Sequence, residues 1–260
     1  MPLRDPTHLF TAPKYLNSGQ AAFWPDLSKD HPANAIWRIV GEQCTLNDWA
    51  FESGQMVISK AGNNGLNLAA LHIAAAMMDE DNRDFWFRLA EGDKDTFRWA
   101  FRILDLPYTA APRWMSALGF LEADDTFCGH TSLQYDLVTP PGLSAPPPLF
   151  VHSNLLKHLG AWGYGGEKSG LFSYIKRMAI DDASDTSLNH ANLFVRQGGM
   201  RNMCLDLKAE NSEVDDKEAA GGDGANRVIL EAVDQVEGNP FAGFEEMFAA
   251  AGGKTGGWDA

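Results

Sequence analysis

Apolar runs that alternate between strand-like and helix-like patterns constrain the fold of this chain most. Residues 56–58 are apolar and largely β-branched, which indicates a buried strand. Residues 66–78 are apolar nearly all round, which is typical of a buried helix. Strands are also predicted within 126–138 and at 149–151, and helices at 85–90, 96–104, 228–236 and 244–251. Strands and helices that alternate in this way indicate an α/β layered domain.

The charge of the chain limits its partners. The formal net charge is −14 over 260 residues. Nucleic acids and anionic membrane surfaces both attract basic faces, so the charge argues against both as partners. No apolar stretch approaches the roughly 20 residues that span a bilayer. The first six residues lack the apolar centre of a signal peptide, so the sequence taken literally indicates a cytosolic protein.

The cysteines leave the redox environment open. Cys44, Cys128 and Cys204 are too few for a disulfide framework, and none belongs to a Cys-x-x-Cys pair. A bridge between Cys44 and Cys128 in an oxidising lumen is one alternative, and buried free thiols are the other.

Four short clusters combine polar groups with glycine or a bulky aromatic residue. A pocket for a polyhydroxylated ligand needs this combination. The clusters are Phe23-Trp24-Pro25-Asp26, Glu52-Ser53-Gly54-Gln55, Gly92-Asp93-Lys94-Asp95-Thr96-Phe97-Arg98 and Cys128-Gly129-His130-Thr131-Ser132-Leu133-Gln134-Tyr135-Asp136.

The third cluster places two carboxylates beside an ammonium at the start of a predicted helix. Asp95 would lie at the helix N-terminus, where the helix dipole favours an ionised carboxylate that can orient a sugar hydroxyl. The alternative is a helix cap next to a solvated charge pair.

A fifth segment carries a histidine and a lysine after a predicted strand. His152 directly follows the apolar run 149–151, and Lys157 lies five residues after His152. Neutral imidazole is a ligand for divalent ions, and an ammonium offsets phosphate charge, so the pair suits a metal–diphosphate site. A hydrogen-bonded structural histidine is the alternative.

The other clusters permit a ligand site or a structural role. In the second cluster, Gly54 would let a sugar approach the backbone, or the four residues form a plain turn before a strand. Strand alternation would place His130, Gln134 and Asp136 on one face, which suits either an acceptor saccharide or a wet sheet surface. Trp24 and Asp26 could stack on and hydrogen-bond to a sugar ring, whereas core packing is the alternative for Trp24.

Together and in this order, the clusters resemble the fungal α-mannosyltransferases of glycosyltransferase family 71. The similarity covers roughly residues 1–205 and resumes at 239–253. It implies a retaining Golgi enzyme, a type II membrane protein, that adds mannose from GDP-mannose to mannan or N-glycan acceptors in protein glycosylation and cell-wall mannan synthesis. It also implies a partial glycosyltransferase A-type fold. The Asp-x-Asp pair that binds manganese, and the N-terminal nucleotide-binding strands, would precede Met1 in the family.

The resemblance also implies roles for individual residues. They are catalytic roles for Asp95 and Lys94, donor contacts for Lys157, Gly54 and Gln55, acceptor contacts for Trp24, Asp26, Asp93 and His130, and a Mn²⁺ ligand at His152. Residues 1–207 would form the acceptor-side part of the domain, 208–226 an acidic, glycine-rich flexible loop, and 227–260 a C-terminal helical segment. A non-catalytic saccharide-binding or regulatory relic of such an enzyme is the alternative, and a chain that cannot fold alone is a third hypothesis.

Overall fold

The structure is a computed structural model that describes residues 1–45, 48–90, 92–159, 170–179, 189–195, 203–209, 228–237 and 240–255. The chain divides into two compact units. The small-sheet unit consists of Asp5–Trp114 and Tyr135–Pro146, and the large-sheet unit consists of Met1–Arg4, Met115–Gln134 and Pro147–Ala260. Among the described residues the fold is mixed α/β with two sheets. This confirms the predicted class and is consistent with part of an α/β glycosyltransferase fold.

In its described part, the small-sheet unit has a three-stranded sheet in the order β2-β1-β3. β1 (Ala21–Lys29) is antiparallel to β2 (Trp49–Ile58) and parallel to β3 (Thr109–Ala110). The apolar residues at the start of β1 are fully buried, and Phe23 stacks on Phe51 of β2 with ring centroids 5.5 Å apart. Burial of these rings holds the two strands together.

The helices of this unit are short, except for two. They are α1 (Pro13–Asn17), α2 (Ile36–Val40), α3 (Leu66–Met78), α4 (Arg83–Trp86) and α5 (Lys94–Ile103), with 3₁₀ turns at Thr7–Thr11 and Asn63–Gly65. α3 has the predicted bounds, but only one face of it is buried, at Asn67, Ala70, Ala74 and Met77. Leu66 and Leu68 are exposed, so the prediction of an entirely buried helix was wrong.

The large-sheet unit has, in the part that is described, a sheet ordered β10-β7-β4-β5-β9-β8, with β6 also paired to β5. The strands are β4 (Ser116–Leu121), β5 (Phe127–Tyr135), β6 (Pro148–His152), β7 (Tyr174–Met178), β8 (Asn189–Val195), β9 (Met203–Ala209) and β10 (Val228–Ala232). α6 (Phe244–Ala250) and 3₁₀ turns at Leu156–His158 and Val233–Gln235 complete its described elements. The predicted helix at 228–236 was wrong, because β10 pairs along its whole length with β7.

A disulfide joins Cys128 of β5 to Cys204 of β9. Both cysteines are fully buried, next to the paired residues Gly129 and Leu205. Cys44 is free, so the predicted Cys44–Cys128 alternative was wrong. The pairing of β5 with β9 brings Cys204 next to Cys128. The two cysteines are 76 residues apart in the sequence, so no local pattern predicts that they pair.

Three further expectations concern single segments. Asp95 lies inside α5, whose N-cap is Asp93 without a side-chain capping bond, so the predicted cap at Asp95 was wrong. Most of the loop predicted at 208–226 lies outside the described residues, and its first two residues end β9. Within the described segments, no helix combines the length and the apolar character needed to cross a membrane.

Candidate acid–lysine site

Asp26 lies in an irregularity of the pairing between β1 and β2. Pro25 pairs with Phe51 and Lys29 with Trp49, so three residues of β1 lie opposite one residue of β2. Proline has no N–H for a ladder hydrogen bond and is therefore tolerated where a strand bulges. The indole N–H of Trp114 donates to the Asp26 carbonyl over 2.9 Å and fixes the bulge. Bulges of this kind redirect a side chain out of the regular ladder.

Glu52 lies in a second irregularity of this pairing, on β2. Phe23 pairs with Met56 and Pro25 with Phe51, so residues 52–55 lie opposite the single residue Trp24. The sequence predicted a turn before a strand at this segment, whereas the structure places all four residues inside β2. Glu52 is buried, Gly54 is exposed and Gln55 is half-buried.

Lys94, the first residue of α5, contacts the bulge of β1. Its ammonium forms an ion pair with Asp26 Oδ2 and lies 3.4 Å from Ser28 Oγ. Asp26 is 3% exposed and Glu52 6% exposed, while the Lys94 side chain is 18% exposed. We call Asp26, Glu52 and Lys94 the acid–lysine site.

The two carboxyl groups of the site interact directly. Burial raises the pKa of Asp26, and the neighbouring Glu52 raises it further through its charge and a side-chain hydrogen bond. The Lys94 ammonium acts in the opposite direction and offsets only part of the rise in pKa. Asp26 Oδ2 faces Lys94, whereas its buried Oδ1 meets no hydrogen-bond donor in the described part of the chain.

Arg98, one turn after Lys94, lies beneath the site in a buried ionic cluster. Its guanidinium contacts Asp30 at 2.5 Å, and it donates to the Trp49 carbonyl over 2.6 Å. Asp95 is 2% exposed and lies 3.6 Å from the same guanidinium. Arg98 also stacks on Trp99, with 4.1 Å between the guanidinium carbon and the ring centroid. Arg98 thereby ties α5 to Asp30, which follows β1, and to Trp49, the first residue of β2.

The structure places the other predicted residues of the small-sheet unit around this site or in the core. Trp24 is fully buried, and its indole N–H donates to the Tyr135 carbonyl over 2.7 Å, so it packs in the core. Asp93 is exposed at the start of α5. Asp136, which follows β5, accepts a hydrogen bond from His8 over 2.8 Å.

Four of the predicted residues belong to the large-sheet unit, namely His130, Gln134, His152 and Lys157. His152 is half-buried at the end of β6, and Lys157 is exposed in the 3₁₀ turn that follows. All nine residues of β5 are buried, so the wet sheet surface considered for His130 and Gln134 was wrong. The structure brings Asp26 and Lys94 together from the predicted set, whereas His130, His152 and Lys157 belong to the large-sheet unit.

His130 is held as a neutral ring inside the large-sheet unit. It is the extra residue of β5 where the pairing with β4 shifts, between Thr131 opposite Leu118 and Gly129 opposite Gly119. Burial lowers the pKa of His130 to about 4, against the weaker opposing effects of the Leu171 carbonyl and Glu245. Nε2 lies 2.9 Å from the Leu171 carbonyl, which can only accept, so this nitrogen carries the proton.

A metal site receives no support from the side chains that are described. Among them, no group of three or more His, Cys, Asp or Glu residues is arranged to hold an ion. His152 by itself does not form a manganese site, because such sites take several oxygen or nitrogen ligands. The role of His152 as a Mn²⁺ ligand therefore stays a prediction.

Sequence reasoning missed Glu52, Ser28 and Arg98 as members of the site and its support. Glu52 lies in one of the four clusters, but its polar neighbours and the glycine among them are typical of a turn. The spacing of the charged residues is a signal of these ion pairs. Lys94 and Arg98 are four residues apart and so lie on one face of the helix, and Asp26 and Asp30 are also four residues apart in the chain.

Residues 42–136 match the sequence model of a family described as "Mannosyltransferase putative". The match includes Glu52, Lys94, Asp95 and Arg98, and Asp26 and Asp30 lie before it. It supports a mannosyltransferase family for this part of the chain. No curated protein sequence matches the chain.

Proposed function

We propose that this chain is part of a retaining α-mannosyltransferase and that the acid–lysine site binds a sugar. The observation that carries the proposal is the family match, because it covers two of the three residues that the structure gathers at this site. A mannosyltransferase family implies a sugar donor and a glycan acceptor. GDP-mannose as donor and a mannose-containing glycan as acceptor are the finer part of the proposal, together with a role in protein glycosylation and mannan synthesis.

The chemistry of the site suits sugar hydroxyls. A carboxylate accepts hydrogen bonds, an ammonium donates them, and a hydroxyl can do both with neighbouring groups. Such bonds strengthen where water is excluded, and both carboxyl groups here are more than nine-tenths buried. Lys94, which is partly exposed, is the point at which a ligand reaches the site.

The supporting residues have separate roles in the proposal. Asp26 and Lys94 contact the sugar, and Asp95 acts through Arg98 to hold the start of α5 in place. Asp93, the exposed N-cap of α5 next to Lys94, is a further acceptor contact in the proposal. Gly54, Gln55 and Lys157 as donor contacts stay predictions. Trp24 and His130 are buried and hydrogen-bonded, so we assign them no sugar contact.

The Golgi lumen is the proposed location. The buried Cys128–Cys204 disulfide supports an oxidising compartment, because disulfides form and persist there and are rare in the reducing cytosol.

A transfer assay tests the proposal. Purified protein is incubated with GDP-mannose and α-mannobiose, and the product is identified by mass and by the anomeric configuration of the new linkage. We expect an α-linked mannotriose, and a loss of about tenfold or more in Lys94→Met, because one charge-assisted hydrogen bond is worth at least 1.4 kcal/mol. Lys60→Met, at an exposed position before α3, is the matched control and should keep the parent rate.

Two other outcomes have distinct meanings. Binding of mannobiose without any transfer would favour a non-catalytic saccharide-binding protein over an enzyme. No transfer and no binding of either sugar compound by the folded protein would contradict the proposal as a whole.

A further inference from the structure

Two buried carboxyl groups in the acid–lysine site face one another. Asp26 and Glu52 directly follow Pro25 and Phe51, which are paired across β1 and β2, and Glu52 acts on Asp26 through its charge and a side-chain hydrogen bond. Two ionised carboxylates can only accept hydrogen bonds, so a bond between them requires a proton on one of them. Proteins that hold two carboxyl groups in one buried site commonly keep one of the two protonated.

The hydrogen-bond geometry of Asp26 points to the same proton. Its Oδ2 faces Lys94, and its buried Oδ1 meets no donor among the described residues if all acids are ionised. A buried acceptor without a donor destabilises the fold, so a carboxyl O–H at this position stabilises it. A proton on either member of the pair, lying between Asp26 and Glu52, supplies this donor.

The charged groups around the pair come from all the elements that form the site. Glu52 of β2 and Lys94 of α5 act on Asp26. Asp30, which follows β1, and Asp95 of α5 both lie against Arg98, the next cation along the helix. Full ionisation of the pair would place two negative charges next to the Lys94 ammonium, and burial makes such an excess costly.

We propose that Asp26 and Glu52 share one proton at neutral pH and that Glu52 is a specificity-determining residue of the site. With one proton, the pair has a charge of −1 that the Lys94 ammonium balances, so the site is electrically neutral. A neutral site suits the hydroxyl groups of a sugar ring. A pyrophosphate group would bring further negative charge against the carboxyl pair and is disfavoured. The part of this inference that concerns the sugar rests on the proposed function, whereas proton sharing does not.

Infrared spectroscopy of the folded protein in D₂O at pH 7 tests the shared proton directly. A protonated carboxylic acid gives a carbonyl stretch that is separate from the bands of carboxylates. We expect one such band in the parent protein and its loss in both Asp26→Asn and Glu52→Gln, because each change removes one member of the pair. The exposed controls Asp84→Asn and Glu80→Gln should retain it. The absence of this band from the parent protein would overturn the proposal, and this result needs no variant to fold.

Calorimetric titrations with methyl α-mannoside and with inorganic pyrophosphate test the ligand class. We expect that methyl α-mannoside binds and that its affinity falls about tenfold in Glu52→Gln, because one hydrogen bond is lost. We expect no pyrophosphate binding that depends on Glu52. Pyrophosphate binding that is abolished by Lys94→Met would overturn the assignment of the site to a sugar ring. A carboxylic acid band without mannoside affinity would support the shared proton and contradict the proposed function.

Discussion

Acidification should destabilise the large-sheet unit through one buried histidine, His130. The side chain is fully buried in β5, and its Nε2–H donates to the Leu171 carbonyl. Burial lowers its pKa from 6.5 to about 4. In the unfolded chain the ring takes up a proton as the pH falls below 6.5, whereas in the folded protein it stays neutral until about pH 4.

The sign and size of the effect follow from this difference in pKa. The unfolded state binds the additional proton between the two pKa values, so the free energy of unfolding falls as the pH falls. The contribution of His130 is fully present above about pH 6.5 and is lost towards about pH 4. Each pKa unit corresponds to about 1.4 kcal/mol, so the loss is about 3 kcal/mol.

Urea unfolding followed by far-ultraviolet circular dichroism at several pH values measures the effect. The parent protein is compared with His130→Gln, in which the amide keeps a donor for the Leu171 carbonyl and has no group that titrates in this range. The variant should be less stable at pH 7, and its stability should fall about 3 kcal/mol less between pH 6.5 and 4. His72→Gln, at an exposed position of α3, should follow the parent curve. Parallel curves for the parent and His130→Gln would refute the reasoning.

Three further changes test the packing within each of the two units. Replacement of Cys128 and Cys204 together by alanine should lower the free energy of unfolding by about 4 kcal/mol, because the bridge closes a loop of 76 residues, whereas Cys44→Ala should leave the urea midpoint nearly unchanged. Gly119→Ala should lower the melting temperature, at a cost of about 1–3 kcal/mol, because its Cβ would collide with the Cys128 carbonyl; an unchanged melting curve would contradict this contact. Asn67→Ala should cost about 2–4 kcal/mol in urea unfolding, because the buried amide donates to backbone carbonyls of two other segments, and a cost below 1 kcal/mol would show that these bonds contribute little.

The acid–lysine site shows how much a sequence could and could not predict about function. The clusters that contain Asp26 and Lys94 were both selected from the sequence, and the structure joins them in one ion pair. Their pairing was not predicted, because 68 residues separate them and no local pattern reports a contact at that distance. Glu52 was assigned to a turn, since a strand that bulges across four polar residues has the composition of a turn.

Local periodicity determined the elements that pack along one continuous face. The bounds of α3 agree with the prediction, and α5 and α6 begin and end within two residues of it, because helical spacing of apolar residues is a property of neighbouring positions. The same reasoning failed for β10, whose short apolar run suits a helix or a strand equally. Its pairing with β7 decided the outcome.

The sequence by itself determined the α/β class, the helices α3, α5 and α6, the strands β5 and β6 with part of β2, and the polar clusters from which a sugar site can be built. Only the tertiary structure decided which carboxyl groups meet, which cysteines pair and which histidine is buried. The physical reason is that these outcomes depend on contacts between distant segments, and burial then sets the pKa and hydrogen bonding of each group. Residue type and spacing along the chain do not directly indicate which distant segments meet or which groups become buried.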